Sequence, residues 1–306
     1  MASPHTQTNS IPVDTLSAEK GKAKAFFELT KPRLSMMTVI TAIVGYMLAD
    51  PQRSGFALLG LILGTTFSAG GAAALNQWWE RASDALMART RGRPIPAGVI
   101  SPEAALIFGI TISLLGVGAL WWINNWLAAL LSAATIGLYV FVYTPMKRWS
   151  SWNTAVGAIP GAIPPLIGWA AAEGAIGLMG WILFGIILFW QIPHFMAIAW
   201  THRKDYAAAG YRMVTTDEPS GRSAAVQSFV CTVLLVGFTL TPVFLGFASW
   251  FYGAAALLGG APFMVFATQF LRHEPRDMAA KKLFFTSISH LPLVLSALVL
   301  DVWILG

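Results

Sequence analysis

The sequence predicts an all-α polytopic membrane protein of about nine transmembrane helices around a central cavity, with the N-terminus cytoplasmic and the C-terminus outside. Three observations predict it. Only 11% of the 306 residues are charged, against about 25% in a soluble domain, so a water-facing surface cannot be built. Hydrophobic residues make up 56% and the mean hydropathy is +0.63. The charges cluster and leave apolar runs of 16 to 25 residues, about the length of helix that crosses a hydrocarbon core. These runs are continuously apolar rather than alternating, which excludes a β-barrel, the other structure able to satisfy its backbone inside lipid. Charge, heptads and cysteine are too scarce for a disordered chain, a coiled coil or a disulfide scaffold.

Taken in order, residues 1–25 form a polar cytoplasmic tail and 26–306 a single integral-membrane domain. The first 30 residues carry Asp14, Glu19 and Glu28 and have neither an apolar signal-peptide core nor an arginine-rich amphipathic pattern, which favours a bacterial cytoplasmic (inner) membrane. Polar punctuation places spans at Leu34–Ala49, Gly55–Trp79, Ala104–Trp122, Trp126–Thr144 and Thr154–Ala172. Four more fall at Leu178–Ala199, Ala224–Gly246, Ser249–Leu271 and Phe284–Leu305. With this segmentation, nineteen of the twenty Lys and Arg lie in the tail or beyond even-numbered spans, and only Arg53 lies opposite. A wrong span count would scatter them, so the positive-inside rule tests the segmentation and sets the orientation. The net charge of +6 is divided among membrane loops, not gathered in a patch, and no nucleic-acid partner is expected. The bilayer is the partner.

Chemistry is expected at the cytoplasmic end, where two long loops, Glu80 to Glu103 and Trp200 to Ser223, mix acids with bases. Asn76, Glu80 and Asp84 recur every fourth residue, about 40° apart around a helix, and so share one face. Acids this close to a bilayer usually face a polar cavity and a partner. An amide and two carboxylates suit Mg²⁺, which keeps several waters and is typically held by one or two carboxylates plus substrate phosphates. Downstream, Arg89 and Arg93 flank Thr90 in a segment that Pro94 and Pro96 prevent from continuing as helix, and guanidinium forks match phosphate oxygens. Arg91 reads only as a positive-inside marker.

In the second loop Asp205 follows Arg203 and Lys204. Either it holds a second Mg²⁺ across a diphosphate from Glu80 and Asp84, which implies a lipid diphosphate substrate, or it pairs with its basic neighbours. The spacing of the two loops fits two similar four-helix halves that face each other across a central cavity. His194, at the end of span six, either contacts a cofactor-like ligand or bonds a neighbour. No His or Cys spacing indicates zinc, and Cys231 reads as a buried thiol within span seven.

The run Asn76, Glu80, Asp84, Met87, Arg89, Thr90, Arg93, Pro94 resembles the first signature of the protoheme IX farnesyltransferase (haem O synthase) family, a branch of the UbiA-type intramembrane prenyltransferases. Three further stretches agree: Leu29 to Arg33 (LTKPR), Tyr143 to Trp169, and Pro193 to Phe195 with Asp205 to Met213. Together they cover roughly residues 26 to 290. The chain departs from the wider superfamily in having Glu80 where many members have Asp, and a lone Asp205 rather than a spaced acid pair.

The resemblance implies farnesyl transfer from farnesyl diphosphate to a vinyl group of haem B, giving haem O. Asn76, Glu80, Asp84 and Asp205 would hold Mg²⁺, while Arg89, Arg93, Lys147, Arg203 and Lys204 hold diphosphate and His194 touches the haem iron or a propionate. Trp78, Trp79 and Tyr143 are candidates for the wall of the prenyl cavity. Haem-delivery or oxidase-assembly partners are implied without being identified. Prenylation of another aromatic acceptor, and cation-coupled transport using the same acids, are the alternatives; transport would require access from both faces.

Overall fold

The computed structural model describes residues 21–49, 54–272 and 276–304. The tail through residue 20, with Asp50, Arg53 and His273, lies outside the described residues. Among the described residues there are nine helical stretches long and apolar enough to cross a membrane and no strands.

A short helix, α1 (Lys22–Leu29), leads into α2 (Pro32–Ala49), α3 (Gly55–Leu86) and α4 (Pro102–Ala119). A π-helical turn, Leu120–Asn124, extends α4 to the far end, where α5 (Trp126–Gly137) starts back. A second π segment, Leu138–Tyr143, continues α5 into the single turn α6 (Thr144–Met146). The next span is broken in two, α7 (Asn153–Ala162) and α8 (Pro164–Glu173), because Pro164 and Pro165 cannot donate the bonds that would join them. Then come α9 (Leu178–Thr201), the short surface helices α10 (Arg203–Ala208) and α11 (Val214–Asp217), and the closing trio α12 (Arg222–Phe244), α13 (Trp250–Leu271) and α14 (Arg276–Ile304).

The span order agrees with the sequence reading, with two corrections at the ends. The second span does not stop at Trp79. It runs two turns further as helix to Leu86, because Glu80, Ser83 and Asp84 are buried against basic partners supplied by distant segments. The last span begins at Arg276, not Phe284. There Arg276 donates to the carbonyls of Gly221 and Phe270.

Two cores form. One joins α9, α12, α13 and α14 around Leu183, Ile186, Leu235, Phe263 and Leu298. The other joins α2, α3, α5 and α8 around Tyr46, Leu61, Leu120 and Ile167. They meet where α2 crosses α8. A Cβ on Gly168 would lie 1.8 Å from the Ala42 carbonyl oxygen, and one on Gly45 would lie 2.0 Å from that of Pro165, so only glycine permits this approach.

The two ends of the bundle differ in kind. At the far end, side chains close onto backbone: Asn124 Nδ2 to the Ala57 carbonyl at 2.8 Å, Asn125 Nδ2 to that of Ala170 at 2.6 Å, and Trp303 Nε1 to that of Met47 at 3.2 Å. Asp301 caps α13, accepting from the Ser249 amide at 2.7 Å, the Ser249 hydroxyl at 2.5 Å and the Tyr252 amide at 3.3 Å. The loops at the other end carry the basic residues and interlock through Arg212 N–H to the Lys147 carbonyl at 2.8 Å and Asn153 Nδ2 to the Arg212 carbonyl at 2.7 Å.

Candidate active site

The site is built on the last three turns of α3, at the basic end. Asn76, Gln77, Glu80, Ser83 and Asp84 are all buried, and the fourfold spacing puts the amide and both carboxylates on the face turned into the protein. Gln77 ties that face to the end of α1 by donating to the Leu29 carbonyl at 2.8 Å.

Each polar group meets a basic or hydroxyl partner from another element. Lys147, just after α6, donates to Glu80 Oε1 at 2.7 Å, with only 14% and 7% of the two side chains exposed. Burial opposes the charge on Lys147, but Glu80 together with Tyr143, Tyr139 and Tyr211 outweighs it and holds this ammonium well above the ordinary lysine range. Its Nζ also lies 4.5 Å from the centre of the Tyr143 ring, a cation–π contact. Arg93 donates to Asp84 Oδ2 at 2.5 Å. It can do so because the chain after α3 folds back, with Thr90 Oγ donating to the Asp84 carbonyl at 2.8 Å and Arg93 N–H to that of Thr90 at 2.9 Å. Arg148 reaches Ser83 Oγ at 2.8 Å.

Asn76 receives Lys31 Nζ on Oδ1 at 2.6 Å and donates from Nδ2 to Thr144 Oγ at 2.9 Å. Thr144 sits there because the π segment before it turns wider than an α-helix; its N–H and hydroxyl both go to the Tyr139 carbonyl. Lys31 is the only non-glycine at positive φ among the described residues, at +46°. Burial, then repulsion from Arg93, brings its ammonium down to about 7.

The residues fit a hard divalent cation. Asp84 Oδ1 is buried and has no hydrogen-bond partner, and two carboxylates with an amide are oxygen donors of the kind Mg²⁺ takes alongside water and phosphate. Among the described residues no three His, Cys, Asp or Glu side chains gather, so the remaining donors would come from water and substrate.

The second loop is not brought in through its acid. Asp205 is 37% exposed, 3.5 Å from His202 Nδ1, and with Arg203, Lys204, Asp277 and Lys281 lines a separate cleft of about 450 Å³. Arg203 pairs with Asp277 at 3.1 Å. What closes over the first motif is the neighbouring pair of tyrosines. The Tyr206 ring lies 4.8 Å under the Arg89 guanidinium, and buried Tyr211 packs on Met87 and Met213, 5.9 Å from Lys147.

His194 stands apart, between α9 and α14, stacked on Trp190 and Phe284 at 4.9 and 5.1 Å. Its Nδ1 lies 2.7 Å from Ser287 Oγ. Ser287 Oγ also lies 2.6 Å from the Phe284 carbonyl, so a Ser287 hydroxyl that donates there would take its hydrogen bond from Nδ1–H and leave the Nε2 lone pair for a ligand. Sequence reasoning missed Lys31, Thr144 and Tyr211 as site members. All three lay inside stretches that carried the resemblance, but nothing in their spacing ties them to Asn76 or Lys147.

Beside the site, between α2 and α14, runs an apolar groove of about 640 Å³ lined by residues including Met37, Ile40, Val44, Met47, Leu295 and Val299. Its nearest lining residue on α2 is six positions beyond Lys31, about 9 Å along a helix.

The sequence model of the UbiA prenyltransferase family matches residues 38–288. The chain is 48% identical over 289 residues to a protoheme IX farnesyltransferase of Opitutus terrae, covering 94% of this chain and 98% of that one. It is 41% identical to the Solibacter usitatus protein of the same name, over 90% and 98% of the two chains. Among solved structures, that of a digeranylgeranylglyceryl phosphate synthase superposes with a TM-score of 0.79 at 18% identity, covering 92% of this chain and 99% of that one. A UbiA homolog from Archaeoglobus fulgidus bound to GPP and Mg²⁺ superposes with a TM-score of 0.60 at 16% identity, covering 90% and 99%. A helical bundle with this order of spans, carrying its buried acids on the second, together with sequence likeness along nearly its whole length, makes this chain a member of the UbiA prenyltransferase family.

Proposed function

We propose that this protein transfers a farnesyl group from farnesyl diphosphate to a vinyl group of haem B, giving haem O and diphosphate. It works as a Mg²⁺-dependent enzyme of the bacterial inner membrane. The observation that carries the reading is the buried set Asn76, Glu80 and Asp84 facing Lys31, Arg93 and Lys147 at one end of the bundle; the identity of the acceptor follows the names of the relatives. Residues 26–306 act as one integral-membrane domain behind the tail at 1–25, and the positive-inside rule applied to the basic loops supports a cytoplasmic site and N-terminus.

Breaking the allylic C–O bond leaves a farnesyl cation and a diphosphate on which charge grows, and preorganised donors aimed at that charge lower the barrier. Arg93 and Lys147 are the innermost, with Arg89 held over Tyr206 at the rim and Arg203 and Lys204 in the adjoining cleft. Asn76, Glu80 and Asp84 are the residues that would hold Mg²⁺ in the buried cluster, and Asp205, in the other cleft, would hold a second Mg²⁺ across the diphosphate; a bound cation would neutralise and polarise diphosphate oxygens. The apolar groove along α2 accepts the prenyl chain, and the Tyr139, Tyr143 and Tyr211 rings keep bulk water from the cation. The electron-rich vinyl carbon attacks it, and one water then adds to the new cation and loses a proton, leaving the hydroxyethyl group of haem O. His194, with Nε2 open, is the side chain offered to the haem.

The backbone-anchored side chains at the far end support entry from one face and weigh against a carrier. The test is incubation of membranes containing the protein with haem B, farnesyl diphosphate and Mg²⁺, read by mass spectrometry for the hydroxyethylfarnesyl adduct. Haem O is expected in that mixture and absent after chelation of Mg²⁺. Consumption of a different prenyl acceptor with no haem O would move the function to a sister prenyltransferase, and flux driven by an ion gradient would move it to a carrier.

A further inference from the structure

We propose that Lys31 is a further diphosphate-contacting residue, its ammonium kept at the mouth of the acid cluster by a strained backbone so that an entering phosphate oxygen completes its pairing. The assignment rests on the diphosphate reading of the site given above.

Three cations converge on two carboxylates. Lys147 is matched to Glu80 at 2.7 Å and Arg93 to Asp84 at 2.5 Å, whereas Lys31 donates to a neutral amide oxygen, Asn76 Oδ1 at 2.6 Å. An ammonium withdrawn from water whose hydrogen bond goes to an amide, while the nearby carboxylates are paired with other cations, is poorly compensated. Removing that cost would be easy, since a neutral side chain could bond the same amide. The backbone points the same way. Lys31 sits at φ +46°, a left-handed backbone that is strained for an L-residue and unstrained for glycine. The strain comes from the turn between α1 and α2, where Lys31 N–H closes on the Glu28 carbonyl at 3.1 Å while its own carbonyl starts α2 through the Leu34 and Ser35 amides at 2.9 and 3.1 Å. Residues strained in this way persist only where the surrounding structure over-determines them, and they cluster at active sites and ligand clamps. The position also suits a prenyl diphosphate, because Lys31 bonds Asn76 and leads directly into α2, whose Met37 is the first residue of that helix to line the apolar groove.

The experiment measures binding of S-farnesyl thiodiphosphate, which does not ionise, to the full-length protein in nanodiscs with Mg²⁺, alongside thermal unfolding without ligand. Lys31→Gly relieves the positive φ and Lys31→Gln keeps a donor for Asn76, so both are expected to fold at least as stably as the wild type. Each should bind the thiodiphosphate about ten- to a hundredfold more weakly, the usual weight of a charge-assisted hydrogen bond. Lys31→Arg should recover most of the loss. A side chain that only orients Asn76 behaves differently. In an Asn76→Ala background Lys31→Gly would then cost nothing more, whereas direct contact predicts the same further loss. Wild-type affinity in Lys31→Gly, or a loss that vanishes in the Asn76→Ala background, overturns the assignment while leaving the site reading intact. A wild type that fails to bind the thiodiphosphate overturns both.

Discussion

Replacing Asp84 by Asn separates charge from shape at the centre of the proposed site. The amide oxygen can still accept from Arg93, but the ion pair is gone and a buried donor takes the place of a carboxylate oxygen. Asp84 is 1% exposed and Arg93 29%, so the pair stands between exposed ion pairs, which contribute about 0–1 kcal/mol, and buried ones, where removing a partner costs about 3–5 kcal/mol. A stability loss of about 1–3 kcal/mol is expected, read as the shift of reversible unfolding in mixed micelles. The effect on turnover is larger. Asp84 Oδ1 is buried and unpartnered, so its charge is available to the metal–diphosphate complex, and losing one such preorganised contact typically costs about 10²–10³-fold in rate. Haem O formation per folded molecule should fall by at least that factor. Turnover within about threefold of the wild type would remove Asp84 from the chemistry, and a decline that merely tracks the unfolded fraction would make its role structural.

Asp205→Asn should abolish haem O formation with stability changed by less than about 0.5 kcal/mol, because its side chain is partly exposed; retained activity would leave Asp205 as the partner of His202 alone. Gly168→Ala pushes a methyl into the Ala42 carbonyl and should cost about 1–3 kcal/mol by forcing α2 off α8, so an unchanged unfolding midpoint would contradict the crossing described. Asp301→Ala strips the cap from α13 and should cost about 1–2 kcal/mol with turnover per folded molecule intact; lost turnover would mean that the far end takes part in the reaction.

The spans could be read from the chain because lipid imposes a length and a polarity on each, and nothing downstream needs to be known to see them. The same holds for Asn76, Glu80 and Asp84, whose shared face is a property of one helix. Partners are another matter. That Lys147 would answer Glu80 and Arg93 answer Asp84 depends on α5 descending through a π segment and on the chain folding back at Thr90, and neither leaves a periodicity to count. Asp205 looked equivalent to the first acids because it has the same neighbours in sequence, yet α10 turns it into the cleft with Asp277 and offers Tyr206 to the first motif instead. Lys31 read as one more positive-inside residue. Only its backbone angle and its reach to Asn76 set it apart.

If Arg93 and Lys147 hold diphosphate as proposed, their pairing with Asp84 and Glu80 has a further consequence for how the site would cycle. Protein groups suited to grip an anion already grip one another, so a diphosphate arrives by exchange rather than by filling a vacuum. The incoming phosphate displaces carboxylates from guanidinium and ammonium, and the released carboxylates are free for the cation that travels with it. When the spent diphosphate leaves, the internal pairs close again and supply part of the driving force for its release. A pocket set up this way tolerates its own charge inside a membrane between turnovers, and gives up some affinity for its product in return.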